Sequence, residues 1–170
     1  MGELESQAAR NIRFATAGEA DAAVQIWREA ATWMIDRGEP LWTVEQFTLA
    51  DALEHVRAAR LVLGFEDDQP VAAFTLQEED PLFWPDAEPA SALYLHRVAV
   101  RRTSAGQGWT TRIIDWAAEQ AERRGRTYLR LDCDRRPALM ALYERAGFVP
   151  VSDAPVIVNG APAIRLERRL

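Results

Sequence analysis

The sequence is poor in the residues that build metal clusters and disulfides. Its 170 residues include one cysteine, Cys133, and two histidines, His55 and His96. A single cysteine cannot form a disulfide within the chain, and the two histidines do not stand at the spacing of a ligand pair. We therefore expect no bound metal.

Long apolar runs and a surplus of basic residues are also missing. No segment approaches the roughly 18 consecutive apolar residues of a membrane helix, and the opening MGELESQAAR lacks the apolar centre of a signal peptide. The net charge is −6 and the pI about 5.0, which argues against general nucleic-acid binding because phosphate neutralisation needs a basic surface. We expect a cytoplasmic protein without membrane or nucleic-acid partners, whose acidic surface attracts cationic small molecules.

The apolar content is sufficient for one hydrophobic core. At 48% hydrophobic residues, the sequence predicts a single domain over residues 1–170, with a flexible tail at residues 1–10. Hydrophobic spacing predicts the element order βααβββαβαββ. This order mixes local hairpins with strand–helix–strand crossovers, so we expect an α/β or α+β fold with helices on both faces of a mixed sheet.

Local signals set the ends of several elements. The second helix is predicted from Val44 to Ala59 with Thr43 as its N-cap, and the third from Gly106 to Arg124. Prolines at 81, 85 and 89 predict an irregular, aromatic-bearing loop over residues 78–90. The strings DDQP and NG have the composition of turns and predict two hairpins.

A glycine-containing loop joins the fourth predicted strand to the third predicted helix. Gly106 and Gly108 precede the helix, whose first backbone N–H groups have no partner within the helix and attract anions. The loop lacks the Lys-Ser/Thr of a P-loop and the third glycine of a dinucleotide-binding fold. It predicts a phosphate site of another kind, with a tight turn and close packing as the alternative.

The strings LHRVAVRRTSAGQGWTTRII, LRLDCD and ALYERAGF resemble the GCN5-related N-acetyltransferase (GNAT) family over most of the chain. The resemblance implies a central mixed, twisted sheet of about seven strands flanked by about four helices, with acetyl-CoA as acyl donor. It implies that backbone groups at a V-x-V segment bind pantetheine, and that the glycine loop holds the pyrophosphate. The matching residues are Val98, Ala99 and Val100, then Ala105, Gly106, Gln107, Gly108, Trp109, Thr110 and Thr111.

Three positions depart from the family pattern. Ala105 stands where arginine or glutamine is usual, Thr110 where glycine or alanine is usual, and Arg136 where many relatives have an asparagine that contacts the coenzyme. Alanine removes one side-chain contact and no backbone donor, and Arg101, Arg102 or Arg112 could compensate. The β-branch of Thr110 crowds the first helical turn, whereas its hydroxyl offers a phosphate a hydrogen bond.

Two residues are candidates for catalysis. The resemblance places Tyr143 as the general acid beside the coenzyme sulfur, and the alternative is that it packs with Leu139 and Leu142. His96 shares a strand face with Tyr94 and Val98, and an imidazole exchanges protons near neutral pH, so it is a candidate proton carrier; a satisfied core histidine is the alternative. Asp132 and Asp134 share one strand face, a placement that suggests a metal, but no third ligand type stands near them in the sequence, so strand-end and helix-cap roles are expected.

The resemblance implies that the acceptor enters opposite the coenzyme, between the first two helices and the proline-rich loop. Aromatic faces with acidic neighbours suit an amine, which makes Trp42, Trp84 and Glu78 candidate acceptor-binding residues. Glu78 is also a rival base, or a solvated strand end.

These features together predict an N-acetyltransferase that transfers the acetyl group of acetyl-CoA to the primary amine of a small-molecule acceptor by direct attack in a ternary complex. The alternatives are a non-catalytic acyl-CoA-binding regulatory module on the same fold, and a scaffold for an unrelated ligand. A homodimer through the C-terminal hairpin is left open.

Overall fold

The computed structural model describes residues 9–170, which form four α-helices and eight β-strands. The elements are β1 (Arg10–Phe14), α1 (Ala20–Asp36), α2 (Leu49–Arg57), β2 (Leu61–Glu66), β3 (Gln69–Gln77), β4 (Ala92–Val100), α3 (Trp109–Arg123), β5 (Tyr128–Cys133), α4 (Pro137–Arg145), β6 (Val149–Pro150), β7 (Val156–Val158) and β8 (Ala161–Arg169). The strand order is β1-β2-β3-β4-β5-β8-β6, and β7 pairs with β8. β4 and β5 are parallel, whereas β1 and β2, and the pairs that β8 forms, are antiparallel. The predicted mixed sheet with four helices is confirmed, with eight strands instead of seven.

The predicted second helix begins too early. Thr43 instead begins a short 3₁₀ turn over Val44–Gln46, and its backbone N–H donates to Gln46 Oε1 at 3.0 Å. Thr48 is extended (φ −116°, ψ 156°) and its Oγ1 accepts the N–H of Asp51, so α2 starts at Leu49. Two N-capping threonines five residues apart divide the segment, because each favours a new helical start.

The third helix also starts later than predicted, at Trp109 instead of Gly106. Gly106 and Gly108 have φ angles of 74° and 79°, in the left-handed region that a right-handed helix does not use. Both predicted hairpins are confirmed. Their central residues all have positive φ, as a type I′ turn requires: Asp67, Asp68, Asn159 and Gly160.

The predicted tail at residues 1–10 extends too far. Ala9 exchanges two hydrogen bonds with Asp67, of 2.8 and 2.9 Å, and β1 begins at Arg10. The rest of the predicted tail, residues 1–8, lies outside the described residues.

The chain forms two compact units, one comprising residues up to Phe74 with Ala99–Gln107, the other Thr75–Val98 with Gly108–Leu170. In the first unit, the apolar faces of α1 and α2 pack on β2 and on Ala73 of β3. Trp27 is fully buried there and stacks on Phe47 at 5.5 Å between ring centroids. A single domain over residues 1–170 stays a prediction.

The second unit is built on β5 and β8, with α3 and α4. Buried residues of α3 include Ile113, Ile114 and Ala117, and Leu129 and Leu131 are buried on β5. The proline-rich loop is irregular, as predicted, yet Trp84 within it is only 4% exposed and packs on Tyr94. No helix within residues 9–170 is long and apolar enough to cross a bilayer.

Candidate active site

The strands β4 and β5 pair only at their beginnings. Their parallel register runs over Ala92↔Tyr128, Leu93↔Leu129 and Tyr94↔Arg130, and the described structure records no pairing between them past that point. β5 continues to Cys133 on its other side, paired with β8. Arg97 has a φ of 55°, which turns the β4 backbone out of the extended conformation. The two strands therefore separate beyond Tyr94 and leave backbone groups of β4 without a β5 partner.

His96 and Asp132 lie opposite each other at this separation. If the β4–β5 register continued for two more residues past Tyr94 and Arg130, His96 would stand opposite Asp132. Both lie on the sheet face where Tyr94 Oη accepts a hydrogen bond of 3.3 Å from Arg130. His96 Nδ1 is 3.4 Å from Asp132 Oδ1, and His96 Nε2 is 3.0 Å from Asp80 Oδ2. The imidazole thus stands between two carboxylates.

Asp80 comes from the start of the proline-rich loop. It is 8% exposed, and its Oδ1 accepts the N–H of Phe83 at 3.2 Å, which fixes the carboxylate in a local turn. The ring of Phe83 lies 6.1 Å from that of His96. The loop therefore supplies both a charge and an apolar wall to the histidine.

The acid–base properties of this cluster follow from its burial. Burial raises the pKa of Asp132 to about 6; the neighbouring His96 opposes the shift and Asp80 adds to it. One ligand atom from each of Asp80, His96 and Asp132 lies within 4.8 Å of the other two, a separation at which the three side chains could also hold a metal ion. The absence of a bound metal stays a prediction. The geometry orients the imidazole between two carboxylates, an arrangement that suits proton transfer.

Tyr143 of α4 belongs to the same neighbourhood. It is 9% exposed and lies edge-to-face on Phe148, with ring centroids 5.8 Å apart. Burial raises its pKa far above the usual range, with further contributions from Cys133 and Asp132. Tyr143 is therefore a neutral phenol, able to donate a proton and unsuited to act as a base. Of the two predicted catalytic residues, His96 lies 3.4 Å from Asp132, and the charge of Asp132 also acts on Tyr143.

Cys133 is a protonated thiol. Burial first, and then the charges of Asp132 and Asp134, raise its pKa to about 11. Its sulfur lies 3.8 Å from Met140 Sδ. Because the thiolate is the nucleophilic form, Cys133 is a poor candidate for covalent catalysis.

The three predicted acceptor-binding residues all have partners within the protein. Trp42 packs edge-to-face on Phe47 at 5.4 Å. Glu78 is 2.8 Å from Arg124 Nη1 and 2.5 Å from Arg126 Nη2. Trp84 carries guanidinium groups over its ring, Arg130 at 4.7 Å and Arg165 at 5.0 Å. The role of these three residues toward an acceptor stays a prediction.

The glycine loop offers a surface free of side chains at its two glycines. A Cβ built on Gly106 or Gly108 would meet nothing within 4 Å, so the space beside both residues is open. Gly108 is the N-cap of α3, and the first-turn N–H groups of the helix follow it. An anion at this position would gain hydrogen bonds and the favourable end of the helix dipole. The loop therefore fits a phosphate-bearing coenzyme.

Two of the three arginines proposed to compensate for Ala105, Arg101 and Arg102, are engaged elsewhere. The chain contains no lysine, so all 20 basic side chains are arginines. Arg101 donates to Glu29 at 2.8 Å and to the carbonyl of Pro70 at 3.0 Å, and the Arg102 guanidinium lies 4.0 Å from the centre of the Trp33 ring. These three contacts hold the two side chains within the first unit.

Sequence reasoning missed Asp80, and expected only a strand-end role for Asp132. The signal for Asp132 was present, because parallel strands in register bring alternating residues of one face level. Asp80 could not be found in this way, since its position depends on the path of an irregular loop.

Comparison with known proteins agrees with this geometry. Residues 23–148 match the sequence profile described as "Acetyltransferase (GNAT) family". The chain therefore belongs to the GNAT acetyltransferase family, and the resemblance noted in the sequence is confirmed.

Among proteins similar to this chain is the uncharacterised N-acetyltransferase YesJ of Bacillus subtilis (strain 168), 30% identical over 138 residues, which cover 76% of each chain. A GNAT-family acetyltransferase from Listeria monocytogenes 4b F2365 superposes with a TM-score of 0.79 at 20% identity, covering 95% of both chains. YncA of Salmonella typhimurium, a putative acetyltransferase solved with acetyl-CoA, gives 0.73 at 15% identity over 95% of this chain and 94% of that one. These structures share the fold.

Proposed function

We propose that this protein is an acetyl-CoA-dependent N-acetyltransferase that acts on the primary amine of a small-molecule acceptor by direct attack in a ternary complex. The observation that carries the proposal is the Asp80–His96–Asp132 cluster at the point where β4 and β5 separate, with Tyr143 beside it. Family membership supports acyl transfer, and the structures of GNAT relatives solved with acetyl-CoA or coenzyme A support the donor.

Acetyl-CoA supplies an activated acetyl thioester. The backbone of Val98–Val100 would bind the pantetheine arm, and the loop from Ala105 to Thr111 would hold the pyrophosphate through N–H groups. An N–H of β4 near Val98 would stabilise the oxyanion that forms as the carbonyl is attacked.

The amine must lose protons during the reaction. With a pKa near 10.4, a lysine-like amine is neutral in only about one molecule in a few thousand at pH 7. His96 would accept the proton, with Asp80 and Asp132 orienting the ring and stabilising its charge. As the nitrogen–carbon bond forms and the carbon–sulfur bond breaks, the nitrogen would lose its second proton to solvent and Tyr143 would donate its proton to the departing sulfur. His96 then releases its proton to solvent, and Tyr143 regains one from solvent.

The experiment that tests this function is a calorimetric titration with acetyl-CoA, beside a Gly108→Glu variant. Micromolar binding to the wild type and its loss in the variant is the expected result, because a carboxylate in the loop repels the pyrophosphate. Gly125→Glu is the matched control: Gly125 also has a positive φ, 66°, and also has open space around it, but follows the other end of α3.

Thiol release in the presence of an amine panel then separates enzyme from binding module. Binding with turnover supports the proposal. Binding without turnover on any amine would favour the regulatory module, and absence of binding to the wild type would refute the proposed donor.

A further inference from the structure

A polar cluster in the first unit ties β1 and β2 to the glycine loop. Arg10 of β1 donates two hydrogen bonds to one residue of the loop: Nη1 to the backbone carbonyl of Gln107 and Nη2 to Gln107 Oε1, both at 3.0 Å. Gln107 Nε2 in turn donates to the carbonyl of Thr103 at 3.3 Å. Arg10 therefore holds a residue that stands between two glycines of left-handed conformation.

Glu66 of β2 holds Arg10 in place. The two residues are cross-strand partners, and Glu66 Oε1 accepts from Arg10 Nε at 3.1 Å. The other carboxylate oxygen accepts the hydroxyl of Ser104 at 3.1 Å, and Ser104 is 4% exposed. We call Arg10, Glu66, Ser104 and Gln107 the loop clamp. The positive charge of Arg10 and the negative charge of Glu66 cancel. The loop clamp therefore acts on the loop by orienting it more than by changing the electrostatic potential there.

The contact with the Gln107 carbonyl also fixes the next amide. In a trans peptide the C=O of one residue and the N–H of the next point in opposite directions. The described chain contains no cis peptide bond. Holding the Gln107 carbonyl toward Arg10 therefore directs the Gly108 N–H away from Arg10, and a charged donor on the carbonyl polarises that N–H.

We infer that Arg10 is a positioning residue for coenzyme binding, which orients the Gly108 amide through the loop clamp. The inference rests on the proposed function, because it assumes that the loop receives the pyrophosphate. Glycines on both sides of Gln107 give an unclamped loop many conformations, and ordering it would cost binding free energy. The methyl group of Ala105 cannot form a polar contact that orders the loop. The loop clamp orders it instead.

The test compares Arg10→Gln with Arg13→Gln, a matched change on the same strand. Arg13 pairs with Glu19 and overlies Phe65 and has no recorded contact with the loop. We expect Arg10→Gln to raise the Kd and KM for acetyl-CoA roughly tenfold. Its kcat at saturating donor and its KM for the amine should stay within about twofold of wild type. Arg10→Lys, with one charged donor in place of a fork, should fall between.

A donor that lacks the pyrophosphate distinguishes positioning from a general loss of structure. With S-acetylpantetheine, kcat/KM should be equal in wild type and Arg10→Gln, whereas a merely structural defect would lower it for both donors. Glu66→Gln provides a second variant if Arg10→Gln folds poorly; it should weaken acetyl-CoA binding in the same direction.

The possible results distinguish a failure of the inference about Arg10 from a failure of the proposed function. If wild type binds acetyl-CoA and Arg10→Gln binds it as tightly as Arg13→Gln does, the inference is wrong and the proposed function stands. The inference is equally wrong if both donors lose activity alike. If wild type itself does not bind, the proposed function fails before the clamp is tested.

Discussion

The phenol of Tyr143 is buried and neutral, and the neighbouring titratable groups Asp132 and Cys133 help to raise its pKa. We predict that Tyr143→Phe lowers kcat about 100-fold, since general acid catalysis is worth about 10²–10⁴. The Kd for acetyl-CoA should change less than about twofold, because the ring packing on Phe148 is kept. Steady-state kinetics and calorimetry measure the two quantities. Tyr128→Phe, a half-buried tyrosine on β5, is the control, and equal turnover in both variants would exclude the acid role.

Asp132 gives a second prediction at the residue scale. The proposed mechanism uses its ionised carboxylate, whereas the stability of the fold favours its protonated form. Its pKa in the folded protein, about 6, lies above the ordinary value of 3.8. The folded state therefore favours the protonated carboxyl. That stabilisation is complete below about pH 4, is lost as the pH rises through 6, and amounts to about 1–3 kcal/mol. Asp132→Asn should be more stable than wild type at pH 8 by this amount, and equally stable near pH 4, while losing activity.

Urea denaturation between pH 4 and pH 8 measures the effect of Asp132→Asn. Asp134→Asn is the control two residues along the chain, where the side chain is 44% exposed and lies 3.7 Å from Arg136. Its stability should follow that of wild type. A loss of stability in Asp132→Asn that is the same at every pH would show that packing, not ionisation, governs this position.

The hairpins belong to the scale of elements. The β2–β3 turn places Asp68 at a φ of 63°, whereas the β7–β8 turn uses Gly160 at 78° in the equivalent position. Asp68→Gly should stabilise the fold by roughly 0.5–1 kcal/mol, because the left-handed conformation costs an L-residue more than the extra chain entropy of glycine. Asp68→Ala should destabilise it. Denaturation midpoints measure both, and activity should be unchanged; a common sign for the two variants would contradict the argument.

Element-scale features were predictable where local chemistry determined them. The NG and DDQP turns and the proline-rich loop follow from residue preferences that act within four or five positions, whereas the second and third helices begin later than those preferences predict. The bend at Arg97 does not, because a non-glycine residue reaches positive φ in a strand only when surrounding structure imposes it. The separation of β4 from β5, which creates the candidate site, depends on that bend. The sequence could nominate His96 and Tyr143 as candidates, but it could not predict the separation of the two strands beside His96.

At the scale of the whole molecule, the net charge of −6 leads to a further prediction. An acidic protein concentrates cations near its surface, and salt screens this attraction over about 10 Å at 0.1 M. The kcat/KM for a cationic amine should fall about threefold as ionic strength rises from about 20 to 200 mM. An amine with a pKa below 7 is uncharged in the same assay and should show no such fall. If both amines respond equally, the effect lies in the anionic donor.

The family and fold were open to prediction from the whole sequence, because short motifs along most of its length agreed with one another. The acceptor was not. Trp42, Trp84 and Glu78 were chosen for residue type, and each side chain is engaged by neighbours that only the folded chain reveals. Loop composition indicates what a site could recognise, whereas recognition depends on which groups folding leaves available.

The absence of lysine determines where the proposed enzyme can place an acetyl group. Apart from the two histidines, every basic side chain is a guanidinium, which stays charged and is no nucleophile toward a thioester at physiological pH. The protein thus offers no side-chain amine to the acetyl group it would carry, and it cannot label itself on lysine. Acetyl groups consumed in its presence would be found on the acceptor, and a lysine introduced at a chosen surface position would become a built-in reporter of how far the active site can reach.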